Sequence, residues 1–180
     1  MNLRRLRLRA VWLLVLPFLG LARPTPSLLV AGAPLALAGL LLRGWAAGTI
    51  HKEQELTTTG PYAFMRNPLY LGSFFLGAGI TLAGGHWVWP ALFVAFFAAV
   101  YGRTMVGERE LLEELFGDRY RAYAANVPAL LPRLTPWREP GVTGAGFTWA
   151  RYVRNREWEA TLGALAGFAF LAAKAWLARG

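Results

Sequence analysis

Four stretches of this chain, residues 27–45, 68–84, 87–105 and 160–178, run for 17 to 19 residues with charge only near their ends. A helix needs about 20 mostly apolar residues to cross the hydrocarbon core of a bilayer. The composition agrees: 56% of the residues are hydrophobic and 16% are charged, against about 25% charged in soluble domains. A fifth and weaker stretch, residues 10–22, follows Arg4, Arg5, Arg7 and Arg9. A basic start and a short apolar run also describe a signal peptide, but Arg23-Pro24-Thr25-Pro26 lacks the small-residue cleavage pattern. A retained first helix is therefore expected. These patterns predict an all-α integral membrane protein with about five transmembrane helices and short cytoplasmic helices.

The charge distribution sets an orientation. With the N-terminus inside and five spans threaded, 16 of the 19 Lys and Arg residues and all ten acidic residues fall on the inner side. Only Arg23, Lys174 and Arg179 fall outside. Inner loops rich in Lys and Arg are the rule for membrane proteins. The net charge of +9 would suggest nucleic acid in a soluble protein. Here it belongs to the membrane face, and no nucleic-acid partner is expected. There is no Cys, and the two histidines, His51 and His86, flank an apolar stretch, so no metal site is expected either. The predicted location is a membrane, in a bacterium the inner membrane, with the active site facing the cytoplasm.

Two polar stretches on that face are long enough to hold chemistry, residues 46–67 and 106–159. In the first, Thr57 to Gly72 reads TTTGPYAFMRNPLYLG. Gly60 permits positive φ, Pro61 sets the next turn, and Asn67-Pro68 predicts a helix start with Asn67 as the cap. An irregular loop thus enters a membrane helix, and such backbone must be buried or line a cavity. The free amides of the first turn favour an anionic or polar ligand. In the second stretch, residues 108–116 predict a helix continuing the fourth span, with Gly117 as a stop. Residues 118–126 predict another short helix, 127–140 an irregular proline-containing run, and 147–158 an interfacial amphipathic helix rich in Trp and Arg. Arg103 and Glu108 lie where the fourth span leaves the bilayer, a depth at which ionisable groups point to function. The small-residue spacings Gly44/Gly48, Ser73/Gly77 and Gly163/Gly167 predict close packing within the bundle.

Together the two stretches resemble the integral-membrane methyltransferases that include isoprenylcysteine carboxyl methyltransferase and the phosphatidylethanolamine or phospholipid methyltransferases. The matching positions are Thr58-Thr59-Gly60-Pro61-Tyr62, then Arg66-Asn67-Pro68-Leu69-Tyr70-Leu71-Gly72, then Glu108. Phe116-Gly117-Asp118-Arg119-Tyr120 with Tyr123, and Val127-Pro128 through Pro132, complete the set. The resemblance covers residues 42–133. It divides the chain into a methyltransferase core, 1–133, and a C-terminal extension, 134–180, with an amphipathic stretch and a last span. Asn67 stands where the family carries His, and Arg109 where it carries a second Glu; Asn67 cannot titrate near neutrality.

The resemblance implies S-adenosylmethionine as the cofactor and a membrane lipid or lipid-like substrate as methyl acceptor. It implies a cofactor site drawn from Gly60, Tyr62, Arg66, Asn67, Tyr70, Leu71, Glu108, Tyr123 and Leu131, with Glu108 and Arg103 as catalytic candidates. Aromatic faces at Tyr62 or Tyr70 suit the sulfonium, and Arg66 with the helix N-terminus suits the cofactor carboxylate. Glu108 suits the ribose hydroxyls or the ammonium, and Leu71 with residues 127–131 an adenine slot. Arg103 would orient an acceptor carboxylate; with an amine acceptor Glu108 would take the proton. The alternative is a non-catalytic membrane protein that retains this fold. The extension is expected to anchor the chain or to shape acceptor access.

Overall fold

The computed structural model describes residues 14–51, 55–142 and 146–178. Every regular element among them is helical. Helix α1 covers residues 14–21, and the rest of the first apolar segment lies outside the described residues. It is followed by α2 (Pro26–Thr49), a single 3-10 turn (Gly60–Ala63), α3 (Pro68–Ala83) and the long α4 (Val88–Asn126). Helices α5 (Trp149–Arg154) and α6 (Trp158–Leu177) complete the chain. Three helices, α2, α4 and α6, are long and apolar enough to cross a membrane. The expected span beginning at Pro68 is an apolar helix of 16 residues, only about 24 Å long at 1.5 Å per residue.

Local sequence explains the helix ends. Thr25 caps α2 through its hydroxyl, which accepts from the Leu28 amide at 3.4 Å, and Pro26 opens the helix. Gly117 has φ 52° and ψ −126°, so α4 is two helices joined at a kink rather than one rod. That is where the sequence predicts a stop. The expected amphipathic helix over 147–158 forms only as the six residues of α5. Arg156, at φ 55°, turns the chain before α6 begins.

The central contact is the antiparallel pair α2 and α3. A Cβ at Gly32 would collide with the Gly79 carbonyl, and one at Gly39 with the Gly72 carbonyl and the Leu76 backbone. Glycines seven residues apart on each helix therefore let the two backbones touch. The expected small-residue pairs serve differently: Gly44 and Gly48 receive the rings of Tyr152 and Phe147, and Gly77 receives Phe93. At one end of the bundle the two short connections lie side by side, with the Arg23 amide donating to the Gly84 carbonyl at 2.8 Å. Nearby, Phe18, Ala22, Ala83 and Leu171 form a buried cluster. Lys174 of α6 donates to the Leu19 and Gly20 carbonyls at 2.8 and 2.7 Å, closing the open C-terminus of α1.

The opposite end carries the polar segments. A second buried cluster, Leu56, Tyr120, Tyr123 and Val127, forms under them. Large apolar side chains such as Val30, Leu37, Leu41, Leu92, Leu165 and Phe170 face outward along the bundle. Hydrocarbon, not water, accepts such a surface. Exposed Trp87 and Trp176 mark one end, and Trp45, Trp149 and Trp158 the other, as the aromatic belts of a membrane protein require.

Candidate active site

The loop before α3 is irregular but well supported. Pro61, Tyr62, Ala63 and Met65 are buried. Its backbone groups pair with the proline-containing run after α4. The Arg66 and Asn67 amides donate to the Pro128 and Ala129 carbonyls at 2.9 and 3.0 Å, and the Arg133 and Trp137 amides donate back to Phe64 and Ala63. The Asn67 side chain sits at the cap position of α3 but makes no cap hydrogen bond. Its Nδ2 instead donates to the Ala129 carbonyl at 2.9 Å. The expected capping role is therefore replaced by a tie between the two motif segments. Gly60, at φ 59° and against Thr49, makes the turn that directs Tyr62 inward.

A cleft of about 690 Å³ opens between this loop, the cytoplasm-predicted end of α2, the extension of α4 and the α5–α6 turn. Of the residues expected from sequence, Tyr62, Arg66, Asn67, Tyr70, Glu108 and Tyr123 line it. The Tyr70 hydroxyl donates to Glu108 Oε2 at 2.7 Å, and its ring meets Tyr101 edge-on at 5.3 Å. Arg66 Nη1 donates to the Tyr120 hydroxyl at 3.1 Å, with its guanidinium over that ring at 6.0 Å. The Tyr123 hydroxyl donates to the Tyr62 carbonyl at 2.7 Å. Burial pushes both the Tyr62 and Tyr123 phenols well above the usual tyrosine range, so both stay protonated.

Four expected residues stand elsewhere: Gly60 shapes the loop without lining the cleft, and Arg103, Leu71 and Leu131 lie off it. Arg103 is exposed and does not line the cleft. It lies five residues from Glu108 on one helix, about 140° around at 100° per residue. The α4 residues that do line the cleft include Tyr101, Met105, Val106, Glu108, Arg109 and Leu112. Leu131 is 75% exposed within the proline-containing run, and Leu71 is buried in the helix packing. Neither lines the cleft; of the segment 127–131 expected beside the adenine, Ala129 does. The apolar wall of the cleft comes from Leu111, Leu112, Leu115 and Phe116.

The extension supplies residues that the motif reading missed. Asn155 and Glu157 line the cleft, together with Arg43, His51 and Ser73. The α5–α6 region seats on the end of α2, whose last turn has no basic residue of its own. Asn155 Nδ2 donates to the Ala47 carbonyl at 2.7 Å. The Thr148 amide and Arg151 Nε both donate to the Gly48 carbonyl at 2.9 Å. Terminal carbonyls that would otherwise lack partners are thus met from the far end of the sequence. The sequence signal is Arg43 near the end of the apolar stretch 27–45, and it reads equally as a span end.

The cleft fits a ligand with cationic, anionic and apolar parts. Two buried polar atoms on its wall, the Tyr62 hydroxyl and Arg66 Nε, have no partner among the described residues. Buried polar groups are satisfied in nearly all folded proteins, so both donors suit a polar ligand group or an ordered water. Aromatic faces for a cation and a carboxylate, Glu108, stand beside them. Among the described residues no group of three or more His, Cys, Asp or Glu is placed to hold a metal ion.

Residues 32–119 match the phospholipid methyltransferase family. Over 82 residues, 46% of this chain and 35% of the relative, the chain is 32% identical to the protein-S-isoprenylcysteine O-methyltransferase of Schizosaccharomyces pombe. It is 37% identical over 116 residues to the nickel-cobalt-cadmium resistance protein NccN of Alcaligenes xylosoxydans xylosoxydans, covering 59% of this chain and 49% of that one. It is 31% identical over 109 residues to the cobalt-zinc-cadmium resistance protein CzcN of Cupriavidus metallidurans, with the same coverage of 59% and 49%. The chain thus spans half or less of the length of these curated relatives. No solved structure matches it.

Proposed function

Because residues 32–119 belong to the membrane methyltransferase family that takes in the phospholipid and isoprenylcysteine enzymes, we propose that the cleft binds S-adenosylmethionine and directs methyl transfer to an amphiphilic, lipid-like acceptor. The observation that carries this reading is the meeting, in one cleft at the end of the bundle, of the Tyr70–Glu108 pair with the unpartnered Tyr62 hydroxyl and Arg66 Nε. The bound cofactor supplies a methyl group already activated by its sulfonium. What remains for the protein is positioning. Pro68 has no N–H and the Tyr70 and Leu71 amides already donate to the Asn67 carbonyl, so Arg66 would hold the cofactor carboxylate, Tyr62 and Tyr70 would present aromatic faces to the cation, and Glu108 would take the ribose hydroxyls or the ammonium. Gly60, Asn67 and Tyr123 hold the loop that carries these groups.

The acceptor's chemistry decides what else is needed. A carboxylate is methylated without a general base. An amine must lose a proton, and Glu108 is the cleft carboxylate best placed to accept it, tied as it is to Tyr70. Residues 1–133 form the catalytic core in this reading, and 134–180 are the extension that docks on it. The charge distribution supports a cytoplasm-facing site and, in a bacterium, the inner membrane.

Calorimetry with S-adenosylmethionine on the detergent-purified protein tests the reading, with Glu108→Ala and Tyr70→Ala alongside. Binding by the wild type and its loss in both variants is the expected result, followed by labelled-methyl transfer into a membrane lipid extract. Two relatives carry names of metal-resistance proteins, which favours a second reading, a non-catalytic membrane component that kept the fold. A folded wild type that binds no cofactor would bring that reading to the front.

A further inference from the structure

Arg43 and Glu157 come from opposite ends of the chain and meet on the wall of the cleft. Glu157 lies outside the residues that match the family. Its side chain is 6% exposed and that of Arg43 22%. Arg43 Nε and Nη2 donate to the two carboxylate oxygens at 2.6 and 2.9 Å, and Nη1 donates to the Ser73 hydroxyl. Ser73 in turn donates to the Leu69 carbonyl at 2.8 Å. The guanidinium is therefore held on one edge by Glu157 and steadied by Ser73. A guanidinium has five N–H donors, and these bonds use three of them.

The position is unusual for an arginine. It lies within the membrane-crossing helix α2, six residues before its end, so about 9 Å along the axis. A charge at that depth costs free energy and marks function more often than packing. Arg43 also does not snorkel freely, because Glu157 fixes it. The fixing itself is built with strain: Arg156, the residue before Glu157, has φ 55°, a conformation that a non-glycine residue adopts only when its surroundings impose it. Asn155, on the other side of that turn, is tied to the Ala47 carbonyl. The α5–α6 turn is thus shaped to deliver one carboxylate to one guanidinium.

We propose that Arg43, aimed by Glu157 of the C-terminal extension, anchors an oxyanion on the amphiphile that enters the cleft from the membrane, with Glu157 as a positioning residue. The remaining N–H donors of a planar guanidinium suit a carboxylate or a phosphate ester. The tail of the amphiphile would lie against apolar residues that line the same cleft, among them Leu69, Met105 and Val106. That this amphiphile is the methyl acceptor rests on the proposed function; that the site binds an oxyanion does not.

The test uses the full chain in maltoside micelles and three probes of equal chain length: dodecanoate, dodecyl phosphate and dodecanol. Wild type is expected to bind one or both of the anionic probes about tenfold tighter than dodecanol, as a charged, bidentate contact implies. A preference for dodecanoate over dodecyl phosphate identifies a carboxylate source, and the reverse a lipid phosphate. Arg43→Gln and Glu157→Gln lose the preference while affinity for S-adenosylmethionine holds. Because either variant can weaken the fold, the double variant R43E/E157R rebuilds the ion pair with its members exchanged. It is expected to recover wild-type thermal stability without the oxyanion preference. No preference in the wild type, a preference that survives Arg43→Gln, or one restored by the exchange overturns the proposal. So does a parallel loss of cofactor affinity, which would assign Arg43 to the cofactor. A wild type that prefers the anions but binds no cofactor would sink the methyl-transfer reading and leave this one standing.

Discussion

The hydroxyl of Tyr70 donates to Glu108 Oε2 at 2.7 Å, joining the first turn of α3 to the point where α4 leaves the apolar part of the bundle. The two residues are 38 positions apart, and neither is oriented by its own helix alone. Glu108 takes its direction from Tyr70, and Tyr70 from the edge-on contact with Tyr101 at 5.3 Å. Tyr70→Phe removes one hydrogen bond to a carboxylate, of the order of 1.5–3 kcal/mol. Calorimetry is expected to show S-adenosylmethionine binding weakened by at least about tenfold, with a larger loss for Glu108→Ala. Unchanged affinity in both would detach this pair from the cofactor.

The pair Arg119–Glu139 should set an acid limit to stability. Arg119 Nε and Nη2 donate to Glu139 at 2.5 and 3.1 Å, and the Thr58 hydroxyl donates at 2.7 Å. The hydrogen bond from Arg119, more than the one from Thr58, holds the Glu139 carboxyl below the usual carboxylate range. A carboxyl with a lowered folded-state pKa stabilises the fold above its unfolded value, near 4.3, and loses that contribution as pH falls through the folded value. Thermal unfolding in maltoside should therefore fall more steeply with acid in wild type than in Glu139→Gln. At neutral pH the variant should be weaker by about 1 kcal/mol, a modest figure because Arg119 is partly exposed to screening.

Two glycines of one helix should respond oppositely to alanine. At Gly39 the added Cβ meets the Gly72 carbonyl and the Leu76 backbone, which cannot move without parting the helices. Overpacking of this kind costs about 1–3 kcal/mol. At Gly44 the same Cβ would lie 3.5 Å from the Tyr152 ring, an ordinary contact. Gly39→Ala should lower the unfolding temperature clearly and Gly44→Ala hardly at all. Equal effects would show that α2 and α3 do not meet at these glycines.

Lys174→Met keeps most of the side-chain volume and removes the ammonium that serves the Leu19 and Gly20 carbonyls. Leaving those carbonyls without their donor costs about 1–3 kcal/mol. Hydrogen exchange should rise in residues 14–21 while α2 and α3 keep their protection. Uniform protection would show that water replaces the lysine without loss.

Much of this protein follows from its sequence by short-range rules. Apolar length places the membrane helices, Pro26 and Pro68 open two of them, and Gly117 kinks α4, because each effect acts within a turn or two of the residue responsible. The motif residues Tyr62, Arg66, Tyr70 and Glu108 were legible for the same reason: their types and order survive being read along a line. Arg103 and Leu131 were not, because the side of a helix or run that a residue occupies depends on what packs against it. Nor was Asn67, which has the chemistry of a helix cap but spends its amide on Ala129. The α5–α6 turn shows the limit most plainly. Residues 134–180 read as an extension that anchors the chain or shapes acceptor access, with no residue of it assigned to the cleft, yet Asn155 closes the end of α2 and Glu157 reaches the cleft beside Arg43. Those contacts span more than 100 residues of chain. Read along the chain, these residues specify a helical membrane protein with a polar, motif-bearing end. Which side chains share the cleft follows from packing alone, since burial and pairing are properties of neighbours in space and not along the chain.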